Sequence, residues 1–226
     1  MPVPPRLPER PVTPVRSALY LHGFASSPAS SKAQRFGREL AALGIGFGCP
    51  DLNQPDFETL TITRMIGVVR KAAADALAPT ALIGSSLGGF VALHTGAPDV
   101  DRLVLLAPAV DFGGGRLTRF GGHTLEDWRR GGRVPVWHYG WNREEMTGFG
   151  LYEDALQYDA FTAPAPLPTL VFQGRFDDVV SPASVEAWAK DRPLVDLRML
   201  DDDHQLSASV DVIWEETRKF LGLGSR

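Results

Sequence analysis

The stretch Ile83-Gly84-Ser85-Ser86-Leu87-Gly88-Gly89 decides how this chain is read, because it holds Gly-x-Ser-x-Gly with Ser86 at its centre. Before it, Thr80-Ala81-Leu82-Ile83 is a short apolar run behind a proline, the pattern of a buried parallel strand. After it, Phe90-Val91-Ala92-Leu93-His94 continues with helix-compatible spacing. Strand, sharp turn and helix form the setting in which small residues let the backbone turn tightly enough to lift a serine hydroxyl above a sheet. Ser86 is therefore the candidate nucleophile. Short patterns of this kind also arise by chance in ordinary loops, so the rest of the chain must supply a base, an acid and an oxyanion hole.

Working outward, residues 1 to 16 hold six of the 18 prolines and read as an extended lead-in arm. Ser17 to Leu21 is a short apolar strand that ends in His22-Gly23-Phe24 and a polar loop. Ala33, Phe36, Leu40 and Leu43 recur at helical spacing before Gly44, and Ile45 to Cys49 gives a second strand. A long amphipathic helix is expected from Phe57 to Leu77, with Leu60, Met65, Val69 and Ala73 on its apolar stripe. Further strands are expected at Arg102 to Ala107, Thr169 to Gln173 and Leu194 to Leu200, with helices at Pro182 to Lys190 and Ser207 to Leu221. Strands alternating with helices predict an α/β fold, a mainly parallel sheet covered on both faces. Six core strands in the order 2-1-3-4-5-6 are expected.

Residues 109 to 166 break the alternation. A connection in such a fold is usually about 2–6 residues, and this one is far longer and carries ten aromatic residues. It reads as a cap insertion between the core segments 17–108 and 167–226. Phe112, Trp137, Tyr139 and Trp141 are its candidate pocket residues, while most of its aromatics are expected to pack the insertion's own core.

Composition sets the outer limits. With 226 residues, 44% of them hydrophobic and 22% charged, the chain has the make-up of a folded domain with one sizeable core. A formal net charge of -4 gives no basic footprint for nucleic acid. The single cysteine, Cys49, has no internal disulfide partner, and no apolar run reaches the roughly 18 residues of a spanning helix. The first residues lack the charged-then-apolar order of a signal peptide, so a cytoplasmic location is the default expectation. No metal or cofactor is expected, and oligomeric state is left open.

A serine hydroxyl needs an imidazole to take its proton and an acid to orient that imidazole. His204, in Asp201-Asp202-Asp203-His204-Gln205 after the last strand, is the candidate base, because open parallel sheets place their functional loops at the strand C-termini. His22 is expected to hold backbone, His94 to lie too far along its helix, and His123 and His138 to be solvated or packed. For the acid, Asp177 follows Gln173-Gly174-Arg175-Phe176, with Asp178 and Asp111 as alternatives. The oxyanion donors are expected to be the backbone N–H of Leu87, at a helix N-terminus, and of Phe24 after His22-Gly23, with Ala25 as the alternative.

These residues resemble the α/β-hydrolase superfamily, which carries a His-Gly-x turn, the Gly-x-Ser-x-Gly elbow, a later Gly-x-x-Asp and a C-terminal histidine in this order. Leu19 to Pro28 with Ser31-Lys32-Ala33, together with the elbow, are similar to the small bacterial esterases of the YqiA type. The resemblance implies Ser86, Asp177 and His204 as a triad, Phe24 and Leu87 as oxyanion donors, and hydrolysis of a small-molecule carboxylic ester without cofactor. The same constellation serves thioesters and amides, and the fold also hosts ligand-binding proteins without catalysis. Halide removal is disfavoured, since that chemistry uses aspartate where Ser86 stands.

Overall fold

The computed structural model describes residues 13–224, so most of the proline-rich arm at 1–16 lies outside the described residues. In chain order the elements are β1 (Ser17–Leu21), α1 (Ser31–Ala42), β2 (Gly46–Gly48), α2 (Ile62–Ala74), β3 (Thr80–Ser85), α3 (Leu87–Thr95) and β4 (Val100–Leu106). Next come β5 (Arg119–Phe120), β6 (His123–Thr124), α4 (Leu125–Gly131), β7 (Arg133–His138), β8 (Arg143–Gly148) and α5 (Gly150–Ala155). The chain closes with β9 (Thr169–Gly174), α6 (Pro182–Ala189), β10 (Val195–Leu200) and α7 (Val210–Phe220).

Six strands form one sheet in the order β2-β1-β3-β4-β9-β10, and every pair is parallel. This is the order expected from the alternation of strands and helices. Successive strand residues face opposite sides, as a pleated backbone requires. Leu19 and Leu21 of β1, Leu103 and Leu105 of β4 and Val171 of β9 join α2, α3 and α6 in one apolar cluster. Ala18 and Tyr20, Val104 and Leu106, and Leu170 and Phe172 join α1 and α7 in the other. Both faces are therefore dry, and all strand C-termini lie along a single edge.

The expected helix from Phe57 begins instead at Ile62, with Thr61 as its N-cap accepting from Arg64 N. Asp56 explains the late start. Its carboxylate accepts from the N–H and the hydroxyl of Thr59, a local turn that competes with helical hydrogen bonding. Phe57, freed from the helix, buries its ring against Phe24 and Trp141.

Between β4 and β9 lie two antiparallel hairpins and two short helices. Trp128 is fully buried here, stacked on Phe120 at 4.4 Å and donating its indole N–H to Thr147 O at 3.0 Å. Phe149 and Tyr152 pack against it, so much of this aromatic content forms a local core. The segment also grips the sheet layer: Asp154 accepts from Thr63 N and Oγ1 at the start of α2, and Trp188 Nε1 donates to Ala160 O at 3.0 Å. Among the described residues no helix is long and apolar enough to cross a membrane.

A Cβ built on Gly88 of α3 would lie 2.1 Å from Leu21 O, a backbone atom, whereas one on exposed Gly67 of α2 meets nothing within 4 Å. Gly88→Ala should destabilise by roughly 3 kcal/mol or more, and Gly67→Ala should stabilise by about 0.5–1 kcal/mol, both read by urea unfolding. His94 is packed against Phe90 and Tyr158 with Nε2 buried and unpartnered among the described residues, and burial pushes its pKa from 6.5 down to about 4. The unfolded chain therefore binds this proton more tightly than the fold. Stability from this site is full above pH 6.5 and is lost as pH falls toward about 4. Across that window the unfolding midpoint of wild type should fall more steeply with decreasing pH than that of His94→Leu; parallel profiles would show that His94 does not titrate against folding.

Candidate active site

The edge where the strands end carries Ser86, Asp177 and His204 on the loops after β3, β9 and β10. Ser86 is the residue between β3 and α3 and has φ 52 and ψ -118, a conformation that costs a non-glycine residue roughly 1–3 kcal/mol. The surroundings hold it there. Ser86 N–H donates to Leu106 O at 2.9 Å, and Ser86 O accepts from Gly89 N, Phe90 N and Ala109 N. Gly84 and Gly88 are required by space, because a Cβ on Gly84 would fall 2.5 Å from Gly88 O. The two glycines of Gly-x-Ser-x-Gly thus let α3 press directly onto β3 and β1.

Asp177 and His204 are brought together by the loops after β9 and β10. Asp177 Oδ2 lies 2.9 Å from His204 Nδ1 and accepts from Gln173 Nε2 at 2.8 Å, while Oδ1 accepts from Val179 N and Val180 N. The aspartate side chain is fully buried and that of His204 is 14% exposed. Burial alone would raise the carboxyl pKa, but the hydrogen bonds from His204, Val180 and Gln173 outweigh it and hold Asp177 below the usual carboxylate range. Asp178, next along the turn, is exposed. Gly174 makes the meeting possible, since a Cβ there would lie 2.5 Å from both Asp202 O and Asp203 O. No hydrogen bond joins Ser86 Oγ to His204 among the described residues.

Several partners of this pair carry no obvious motif. Gln173 is fully buried and braces the carboxylate of Asp177. Lys32 at the start of α1 donates from Nζ to Gln205 O at 2.6 Å, anchoring the loop that presents His204. Burial pushes the Lys32 ammonium down, with Asp203, Asp202 and Asp177 opposing that effect. Asp202 accepts from Asp203 N and Ser209 N, so the acidic run builds the loop rather than lying free in solvent. A polar residue at the end of a buried strand, as at Gln173, is the one sequence signal that could have pointed to these.

The second loop at this edge follows β1. A Cβ on Gly23 would lie 3.3 Å from Ser86 Cβ and 4.0 Å from its Oγ, which places the His22-Gly23-Phe24 turn against the elbow. Leu87 N–H opens α3, and among the described residues neither it nor Phe24 N–H is donated to another group. Leu87 N–H opens a helix, whose N-terminus carries partial positive charge, a setting that favours an anion. His22 holds backbone, accepting from Leu52 N at Nε2 and meeting Gly23 O through Nδ1, both at 3.0 Å. His94 sits near the far end of α3, and His138 is buried, stacked on Trp141 at 3.9 Å. Of the aromatics singled out, Phe112 is buried against Phe90 and Phe120, Trp141 is 37% exposed, and Trp137 and Tyr139 are exposed. Burial pushes the Cys49 thiol up to about 12, which makes it a poor nucleophile.

Comparison with solved structures identifies the architecture. Est1E from Butyrivibrio proteoclasticus, solved with ferulic acid bound, superposes with a TM-score of 0.76 at 16% identity, over 94% of this chain and 90% of that one. Alpha/beta hydrolase domain-containing protein 10 from mouse gives a TM-score of 0.72 at 21% identity, over 92% of this chain and 90% of that one. A monoacylglycerol lipase from Paleococcus ferrophilus gives 0.68 at 13% identity, over 93% and 96%. At these identities the likeness establishes the fold, which is the α/β-hydrolase fold. Comparison with curated proteins gives no match. The model of an uncharacterised protein family, UPF0227, matches residues 17–218, and the chain belongs to that family.

Proposed function

We propose that the protein is a serine hydrolase that cleaves carboxylic esters through an acyl-enzyme intermediate on Ser86. The observation that carries this reading is the buried Asp177–His204 pair, 2.9 Å apart, at the same sheet edge as the Ser86 turn. Asp177 keeps the proton on Nδ1 of His204, leaving Nε2 to accept the proton of Ser86 Oγ as that oxygen attacks the ester carbonyl. The backbone N–H groups of Leu87 and Phe24 receive the negative charge that forms on the carbonyl oxygen. Collapse of the tetrahedral intermediate breaks the bond to the alcohol, which leaves with the proton from His204. Water then attacks the acyl-enzyme by the same route, its proton passing to His204 and back to Ser86.

The segment 109–166 acts as a cap in this reading, and Phe112, Trp137, Tyr139 and Trp141 are its proposed substrate contacts. Its β7–β8 hairpin supports that role by touching the loop after β1, where Gly140 N donates to Ala25 O. The acyl part of the substrate then meets an aromatic wall on one side and the elbow on the other.

Ser86→Ala should lower kcat on a short-chain nitrophenyl ester by roughly 10⁴-fold or more with an unchanged unfolding midpoint, and Asp177→Asn by about 10³–10⁴-fold. A Ser86→Ala variant that keeps wild-type rate removes the assignment. Matched ester, thioester and amide substrates should rank with the ester first, and a preference for either of the others replaces ester hydrolysis as the activity.

A further inference from the structure

Resting on the serine-hydrolase reading, we infer that Asn53 is a positioning residue for the oxyanion loop, holding from outside the site the backbone that presents Phe24 N–H to the reacting carbonyl. The observations begin at His22. A backbone amide can only donate, so Leu52 N–H at 3.0 Å, closer to Nε2 of His22 than Asp51 Oδ1 at 3.4 Å, makes Nε2 an acceptor and leaves the ring proton on Nδ1. Nδ1 then donates to Gly23 O at 3.0 Å. The carbonyl of Gly23 and the N–H of Phe24 belong to one planar trans peptide and point in opposite directions, so fixing the carbonyl fixes the amide. The tautomer of His22, and with it the aim of Phe24 N–H, is therefore set by the turn at residues 51–53.

Asn53 ties that turn to the other end of the loop. Its side chain donates from Nδ2 to Ser26 O at 2.8 Å, and its own N–H donates to Asp51 Oδ1 at 3.0 Å. The residue is 3% exposed, so the carboxamide is committed to this contact out of water. Between the two ties, Ala25 has φ 53, a conformation that an alanine leaves readily unless it is held. Gly140 N supplies the remaining tie at Ala25 O, 3.3 Å away, and a Cβ on Gly140 would press within 2.7 Å of Ser27 Cβ. The carbonyls of Gly23, Ala25 and Ser26 are all engaged. The Phe24 ring is lodged between Phe57 and Phe120.

Asn53→Asp keeps the shape and loses the donor. Its test is the rate at which a fluorophosphonate labels Ser86, since that reaction also places a phosphoryl oxygen in the oxyanion site, measured beside kcat and KM on a nitrophenyl ester. Labelling and kcat should each fall about 10–100-fold, with KM within about threefold of wild type and an unchanged circular dichroism spectrum. Should Asn53→Asp misfold, Gly140→Ala, which displaces the same loop from the hairpin side, carries the test with the same expected losses. If wild type is labelled and the folded variant reacts within twofold of it, or loses only KM, Asn53 does not position the loop and the hydrolase reading stands. If wild type itself is not labelled at Ser86, the hydrolase reading fails and takes this inference with it.

Discussion

The contact between α3 and the strands beneath it is the constraint on which the site depends. With no side chain at Gly84 or Gly88, the helix backbone comes close enough to β3 and β1 that a single methyl group would overlap Gly88 O or Leu21 O. That approach leaves the connecting residue, Ser86, no room for an ordinary conformation and forces its positive φ. The strain is offset by hydrogen bonds from Ser86 to the end of β4 and by burial of Phe90 and Val91 on the apolar face. A strained residue over-determined by its neighbours is how a fold keeps one hydroxyl raised above a sheet.

Parallel topology supplies the rest. Because all six strands run one way, the loops after β1, β3, β9 and β10 meet at one edge although they are far apart in sequence. Each loop is built to a different demand. The loops after β9 and β10 are pressed together at Gly174, so that a buried carboxylate can meet an imidazole still partly open to solvent. The loop after β1 offers main-chain amides and is held through its carbonyls. The polar side chains of Gln173, Lys32 and Asn53 hold the backbone and the carboxylate in place.

Much of this was legible in the sequence, for physical reasons that can be named. The six strands are short apolar runs with turn residues on both sides, and their alternation with amphipathic helices leaves few topologies open. Ser86, Asp177 and His204 stand out because each follows a strand with glycine or turn residues beside it. The start of α2 was misread because Phe57 and Leu60 fit a helical stripe, whereas the Asp56 turn, a local side-chain hydrogen bond, decides against it. Among the bracing residues only Gln173, a polar residue ending a buried strand, left a signal in the sequence. Asn53 lies in a turn where asparagine is unremarkable, and its partner Ser26 is distant in sequence, so only the folded chain shows the pair. Nothing in the sequence sets Asp202 apart within its acidic run, yet it is buried and caps backbone N–H groups.

The proposed function is acyl transfer to the Ser86 oxygen, and its direct test is to trap the acyl group there. Rapid acid quench of the wild-type protein during turnover of a nitrophenyl ester, followed by peptide mass mapping, should find the acyl mass on the peptide carrying Ser86, formed in a burst approaching one equivalent of nitrophenolate per chain. An acyl group on another residue, or turnover with neither burst nor adduct in Asp177→Asn and wild type alike, would contradict the account.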